Sequence, residues 1–275
     1  MELIFQLGEP RVTVQELTNT ILKDYALTAR ILQVVNSAYY SGGNPISTVS
    51  RAVNVVGLEA MRQLATAMAL LDEFLKNGTD QLEITKHFTI SLVSAIQSRL
   101  YCQDKLPPLA QEEAYLCSLL HKLGSIVLLV YLPDHSRRIS QLLQQGYSEE
   151  YASSQVLDGL TSSQIGREIA TYWNFPKRTL DCMAPHPASL DKSGDTFLLL
   201  HNLVVFNNTL TTTFFAGTEL EMADLTCRFR PVLNLDLTEA IEMLDRAIGI
   251  CENITPTMNQ ALTSLHRQRD RRRPC

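Results

Sequence analysis

Residues 58–75 read LEAMRQLATAMALLDEFL, and this stretch decides the fold class. Its apolar residues recur every three or four positions, which is the spacing of one face of an α-helix. Asn77 and Gly78 follow it and supply a typical stop signal for a helix. The residues on the predicted buried face are Leu58, Met61, Leu64, Ala65, Met68, Leu71 and Leu75.

The same spacing recurs along most of the chain. Segment 112–131 is predicted as one helix, because its length favours a helix over a buried strand. Only 209–215 has a strand-like composition, and a single strand has no partner with which to pair. We therefore predict an all-α fold. Further helices are predicted at 17–22, 27–36, 49–56, 81–101, 135–145, 148–157, 161–173, 176–184, 195–210, 236–252 and 256–268.

Composition narrows the class of protein. With 275 residues, 45% of them hydrophobic and 19% charged, the chain is typical of a globular protein of one or two domains. Its longest apolar run, 126–132, is far shorter than the roughly 20 residues that span a membrane. No signal segment opens the chain. We therefore expect a cytoplasmic protein without membrane insertion.

Several kinds of chemistry lack their sequence signature. The six cysteines stand singly, without a C-x-x-C pair, so they indicate neither a zinc site nor a redox motif. The chain contains no P-loop, no dinucleotide-binding glycine motif and no G-x-S-x-G nucleophile elbow. A net charge of −5 does not favour nucleic acid as a main partner. We expect no cofactor.

Two histidines are the first candidates for chemistry. His87 and His121 each flank the apolar face of a predicted helix, and imidazole is a common ligand of catalytic divalent metals. The residue after His121 is Lys122, whose ammonium would repel a divalent ion by about 8 kcal/mol at 4 Å and an effective dielectric constant of 20. We therefore predict that these histidines are hydrogen-bonded within the fold and hold no metal.

Other conspicuous residues have simpler structural interpretations. His186 lies between two prolines in a loop, and Trp173 is expected to anchor the end of a helix in the core. Five arginines lie within 267–275 and could contact RNA or an acidic partner by charge alone. A solvated chain terminus is the simpler interpretation of this segment.

The N-terminal part of the sequence resembles the signature of HDOD domains. Segment 24–40 reads DYALTARILQVVNSAYY, and it is followed by IS at 46–47 and by AVNVVGL at 52–58. These segments are similar to the family's "DPxLtxrlLxlxNSaxy", "I-S-S" and "A-I-x-x-L-G". Tyr25 replaces the usual proline, and Val56 replaces the usual leucine.

Two downstream segments extend this resemblance. LLHKLG at 119–124 looks like the family's "LLHDIGKL", and 156–176 is similar to its "vLGxthaxvGaxLlxxWxlP". The resemblance covers roughly residues 5–190. The residues that match the family signature include Asn36, Ser37, Gly57, Trp173 and Pro176.

The resemblance implies a degenerate hydrolase. HDOD domains are relatives of the HD metal-dependent phosphohydrolases that have generally lost the metal ligands, and they are regarded as regulatory or protein-interaction modules in bacterial signalling. His87 and His121 match the first two histidine positions of the HD parent, but Lys122 stands in place of its aspartate. Ser162 stands where a histidine often occurs, and His186 is the remainder of a His-His pair. The Gly-Tyr-Pro segment of the related HD-GYP proteins is missing.

We therefore predict a non-catalytic HDOD module that binds a protein partner or a small signal through a groove between two lobes. His87, His121 and Lys122 would form a relic pocket that contacts an anion or a partner, provided that no internal carboxylate pairs with the Lys122 ammonium. No output domain is recognisable, so the output would come through another chain. The predicted parts are an N-terminal lobe (1–77), a degenerate HD-like lobe (78–190), a C-terminal helical extension (191–266) and a basic disordered tail (267–275).

Two alternative functions stay open at this point. A surviving HD-type phosphohydrolase would recruit metal ligands from positions such as Asp158, Asp181 or His186. An RNA-binding adaptor would rely on the arginines of 267–275. Metal-dependent turnover would support the first, and loss of RNA retention on removal of the tail would support the second.

Overall fold

All secondary structure in the described residues of the computed structural model is helical. This confirms the all-α fold class. The described residues are 12–23, 25–36, 46–103, 105–106, 108–173, 175, 177–187, 190, 195–252 and 256–272.

The N-terminal helices follow the first apolar repeats of the sequence. They are α1 (Val14–Leu22), α2 (Tyr25–Asn36), α3 (Val49–Val56) and α4 (Leu58–Asn77). Thr13 opens α1 with a capping box in which Glu16 is the partner. Gly57 joins α3 to α4 with a φ of +96°, a backbone conformation that glycine adopts without strain. The division of the chain into two lobes at residue 77 stays a prediction, and α4 ends there.

The middle of the chain folds into a second group of helices. They are α5 (Gln81–Cys102), α6 (Pro108–Leu120), α7 (Leu123–Tyr131), α8 (Pro133–Gln144), α9 (Glu149–Val156), α10 (Ser162–Tyr172) and α11 (Lys177–Cys182). The prediction of one helix over 112–131 is wrong, because the chain turns at His121 and Lys122. The turn lets these two side chains reach partners on α11 and α9. Apolar residues on both sides of the turn hide it from an analysis of periodicity.

Helices α7 and α10 cross at two glycines. A Cβ atom on Gly124 would lie 1.7 Å from the carbonyl oxygen of Ser162, and one on Gly166 would lie 2.8 Å from the backbone nitrogen of Gly124. Only glycine allows two backbones to approach this closely. The crossing therefore fixes the first turn of α10 against the turn that carries Lys122.

The C-terminal helices pack around α5. They are α12 (Thr196–Ala216), α13 (Glu219–Leu233), α14 (Leu237–Glu252) and α15 (Pro256–Arg272), of which α12, α14 and α15 contact α5 directly. Buried hydrogen bonds join α12 to α5: Asn207 Nδ2 donates to Ser98 Oγ at 2.9 Å, and Thr211 Oγ1 donates to Gln97 Oε1 at 2.7 Å. The C-terminal extension therefore shares the core of the preceding helices.

The structure corrects two predictions in this region and adds one helix. The helix predicted over 195–210 extends to Ala216, so the strand-like segment is helical and its Phe214 is buried. The added helix is α13 over 219–233, which contains Pro231, a residue that is unfavourable inside a helix. The tail predicted as disordered from residue 267 is helical as far as Arg272. The guanidinium of Arg269 lies 3.6 Å from the centre of the Phe214 ring and holds this helix to the core.

One apolar stretch of the described chain has the length and composition of a membrane span. It is Glu113–Tyr131, and most of it is buried within the protein. The turn at His121 and Lys122 divides it between α6 and α7. Burial within the fold is typical of core helices.

Candidate functional site

The structure brings His87 and Lys122 to one region, together with a carboxylate that sequence analysis missed. His87 lies on α5, Lys122 lies in the turn before α7, and Glu149 is the first residue of α9. A cavity of about 40 Å³ lies beside these elements, and its lining includes His87, Ser125, Glu149 and Ser162. We use the name relic pocket for this cavity together with the adjoining residues His121 and Lys122.

Lys122 and Glu149 form an ion pair in the relic pocket. The ammonium of Lys122 donates to Glu149 Oε2, and only about a quarter of each side chain is exposed, 25% and 27%. Ser125 Oγ donates to Glu149 Oε1 at 2.5 Å, and Ser162 Oγ donates to the same oxygen at 3.2 Å. Both carboxylate oxygens therefore have partners from within the chain.

The electrostatics of Glu149 follow from these contacts. Burial raises the pKa of this carboxyl, but the charge of Lys122 and the hydrogen bonds from Lys122, Ser125 and Ser162 outweigh burial and lower the pKa to about 2. Glu149 is therefore ionised at neutral pH. The expected contact between Lys122 and an external anion required a lysine without an internal carboxylate, and the structure contradicts that condition.

Both histidines of the relic pocket favour the neutral form. Burial and the charge of Lys122 together lower the pKa of His121 to about 3, against the opposing effect of its hydrogen bond to Cys182. Nδ1 of His121 donates to the carbonyl oxygen of Cys182 at 3.3 Å, which confirms that this histidine is hydrogen-bonded within the fold. Burial also lowers the pKa of His87. The two imidazoles therefore add no positive charge to the pocket at neutral pH.

The relic pocket does not fit the divalent metal site that the HD parent would imply. In the described part of the chain, no group of three or more His, Cys, Asp or Glu side chains is placed to hold a metal ion. The nearest carboxylate, Glu149, is already neutralised by the ammonium of Lys122. A divalent ion would have to displace that ammonium or lie beside it against charge repulsion.

The alternative metal ligands are engaged or exposed elsewhere. Asp181 pairs with Arg167 at 3.8 Å, and Asp158 is exposed in a turn with a φ of +51°. The side chain of His186 is exposed, and its carbonyl oxygen accepts a hydrogen bond from His201 Nε2 at 2.8 Å. None of Asp158, Asp181 and His186 lines the relic pocket.

The remaining signature residues have structural positions. Gly57 caps α3, and the buried Trp173 ends α10 as predicted. Asn36 ends α2, but its side chain lies outside the described residues, as do Ser37 and Pro176.

A second and larger cavity lies between the C-terminal parts of α4, α7 and α10. Its volume is about 460 Å³. Sequence analysis predicted a groove between the lobes but assigned no residues to it. We call this cavity the aromatic groove; its lining consists of Glu73, Phe74, Val127, Tyr131, Glu168, Ile169, Tyr172 and Trp173.

The fold of the described residues is all-helical, and His87 and Glu149 meet at a small cavity between its helices. The family model of the HDOD domain matches residues 1–189. The chain therefore belongs to the HDOD domain family.

Solved structures share this fold. A proposed phosphohydrolase from Shewanella amazonensis SB2B is 21% identical with a TM-score of 0.67, and the match covers 95% of this chain and 91% of that one. An HDOD domain protein of unknown function from Geobacter sulfurreducens is 21% identical with a TM-score of 0.66, covering 93% and 90%. A proposed signal transduction protein from Marinobacter aquaeolei VT8 is 18% identical with a TM-score of 0.60, covering 95% and 59%.

A curated relative is an uncharacterized protein of Treponema pallidum (strain Nichols). It is 23% identical over 223 residues, which is 79% of this chain. The match spans only 41% of the length of that relative.

Proposed function

We propose that this chain is a non-catalytic HDOD module of bacterial signalling, which binds a protein partner or a small signal in the aromatic groove. The observation that carries the non-catalytic part is the ion pair between Lys122 and Glu149 in the relic pocket. By the family resemblance, Lys122 stands in place of the aspartate of the HD parent's metal-binding motif. The Lys122 ammonium neutralises the Glu149 carboxylate, and it provides neither a Lewis acid nor an activated water.

The energetics favour the ion pair over a bound metal. At 4 Å and an effective dielectric constant of 20, an ammonium repels a divalent ion by about 8 kcal/mol. Displacing the Lys122 ammonium instead would leave a largely buried positive charge without its partner, a change that costs about 3–5 kcal/mol for a fully buried pair. Either route weakens binding of a metal.

The signalling part of the proposal rests on the family and on a relative. The chain belongs to the HDOD domain family, and one protein of the same fold is named for signal transduction. The aromatic groove, at about 460 Å³, lies within the range of about 300–1,000 Å³ that is typical of ligand sites. A cytoplasmic location is part of this proposal.

Hydrolysis assays test the non-catalytic part directly. The full chain is incubated with Mn²⁺, Fe²⁺ or Zn²⁺ and with bis(p-nitrophenyl) phosphate as a general phosphodiester. We expect release of nitrophenol at the rate of the protein-free control for every metal. Metal-dependent turnover that disappears in His121→Ala would overturn the proposal and would favour the phosphohydrolase alternative.

A further inference from the structure

The walls of the aromatic groove are built from four aromatic side chains at the ends of three helices. Phe74 comes from the last turn of α4, Tyr131 ends α7, Tyr172 ends α10 and Trp173 follows it. The rings of Phe74 and Tyr131 meet edge to face, with centroids 6.2 Å apart and an angle of 79°. Phe74 and Trp173 are buried, whereas Tyr172 is 69% exposed and stands at the mouth.

The charge of the aromatic groove is negative. Its lining includes Glu73 and Glu168, and none of its described lining residues is a lysine, arginine or histidine. Burial raises the pKa of the Tyr131 hydroxyl, and the carboxylate of Glu73 raises it further, which places that negative charge near the aromatic wall. The C-terminal ends of α4, α7 and α10 add partial negative charge from their carbonyl groups.

We propose that the aromatic groove binds a small organic cation of the quaternary ammonium class, with an apolar body attached to the charged group. This inference rests on the proposed function, since it names the chemistry of the signal that the groove would bind. The positive group would lie between the rings and the carboxylates of Glu73 and Glu168. The apolar body would lie against Val127 and Ile169.

The groove fits this class of ligand better than other classes. An anion would meet two carboxylates and no basic group among the described lining residues. A primary ammonium carries three N–H donors that need acceptors, whereas a quaternary ammonium has none and loses less hydration when it enters an apolar site. Aromatic faces attract such cations most strongly where water is excluded.

Trp173 provides a direct readout of binding, because it is the only tryptophan of the chain and lines the groove. The full chain is titrated with benzyltrimethylammonium, benzyl alcohol and benzenesulfonate, which share an aromatic ring and differ in charge. Tryptophan fluorescence and calorimetry are followed in parallel. We expect a saturable change with the cation at a Kd below about 1 mM, and binding of the other two at least about tenfold weaker.

Groove variants locate that binding. Glu73→Gln combined with Glu168→Gln removes both negative charges of the groove. We expect this double variant to bind the cation at least about tenfold more weakly. Tyr172→Ala removes the exposed ring at the mouth, and we expect a loss of about threefold to tenfold. Matched controls are Glu242→Gln, an exposed glutamate of α14, and Tyr147→Ala, a tyrosine exposed to 47%; both should bind the cation as the unaltered chain does.

Three outcomes would overturn the inference: no saturable binding of benzyltrimethylammonium, equal binding of benzyl alcohol, or unchanged affinity in the double glutamate variant. These failures are distinct from failure of the proposed function. A groove that binds benzyl alcohol as well as the cation would still be a binding site without charge preference. Metal-dependent hydrolysis would overturn the proposed function whatever the groove binds.

Discussion

The relic pocket and the aromatic groove differ in whether their carboxylates have a positively charged partner. In the relic pocket, the carboxylate of Glu149 is neutralised by Lys122 and accepts hydrogen bonds from two serines around a cavity of only about 40 Å³. In the aromatic groove, Glu73 and Glu168 line a cavity of about 460 Å³ without a basic residue among the described lining. A charge that is paired internally contributes to stability, whereas a charge without an internal counterion remains available to a ligand.

The first prediction concerns the glycine crossing that lies next to the relic pocket and joins α7 to α10, which also form the groove. Gly124→Ala would place a Cβ atom 1.7 Å from the Ser162 carbonyl oxygen, so the backbones must separate. We expect a loss of about 3–5 kcal/mol in the free energy of unfolding, or failure to fold. Urea denaturation measures this change.

Gly249→Ala is the matched control for this prediction. A Cβ atom there has no heavy atom within 4 Å, and the residue lies inside α14. We expect a gain of about 0.5–1 kcal/mol, because alanine has the higher helix propensity. Equal effects at Gly124 and Gly249 would contradict the close crossing of α7 and α10.

The second prediction breaks the ion pair of the relic pocket. Glu149→Ala leaves the ammonium of Lys122 largely buried without its partner, and we expect a loss of about 2–3 kcal/mol in the free energy of unfolding. Adding Lys122→Met removes the unpaired positive charge and should restore at least half of the lost free energy of unfolding. A double variant as unstable as the sum of the two single variants would show that the pair contributes no coupling.

The third prediction is the pH dependence of stability. The folded-state pKa of His121 is lowered from 6.5 to about 3, so the unfolded chain takes up a proton between these values that the folded chain does not. The free energy of unfolding is therefore highest above pH 6.5 and falls as the pH decreases. Glu149, with its pKa lowered from 4.5 to about 2, adds a further loss as the pH falls below 4.5.

Two variants separate these contributions. Between pH 6.5 and 4.5, His121→Gln should reduce the fall in the free energy of unfolding by about 2 kcal/mol. Glu149→Gln should reduce this fall only below pH 4.5. Urea denaturation across this pH range measures both effects. An unchanged slope in His121→Gln would contradict the burial of a neutral imidazole.

The fourth prediction concerns the aromatic groove and has the smallest effect on stability. Tyr172→Ala and Glu168→Gln alter exposed side chains that make no described ion pair. We expect the free energy of unfolding to change by less than about 0.5 kcal/mol in each. A loss near that of Glu149→Ala would mean that the groove residues serve the fold in the way that the relic pocket does.

Sequence periodicity predicted most of the fold because most helices bury one apolar face. It failed for 112–131, where apolar residues on both sides hide the turn at His121, and for α13, which contains Pro231. Periodicity does not predict which distant segments of the chain lie close together in the fold. Lys122 and Glu149 are separated by 27 positions and belong to different elements, so no local spacing links them.

The residues that line the aromatic groove could not be predicted from the sequence for the same reason. Phe74, Tyr131 and Tyr172 lie at the ends of three helices that are far apart in the chain. Each residue by itself is an ordinary aromatic at a helix end, and only the packing of α4, α7 and α10 places them around one cavity. The prediction of a groove between the lobes therefore named neither its residues nor its chemistry.

The metal content of the purified full chain tests the central claim most directly. The protein is incubated with manganese, iron and zinc, dialysed extensively and analysed by elemental mass spectrometry, with His121→Ala treated in parallel. An ion pair that replaces the metal predicts a stoichiometry well below one ion per chain, equal in the two proteins. One or two ions retained by the unaltered chain and lost in His121→Ala would contradict the account.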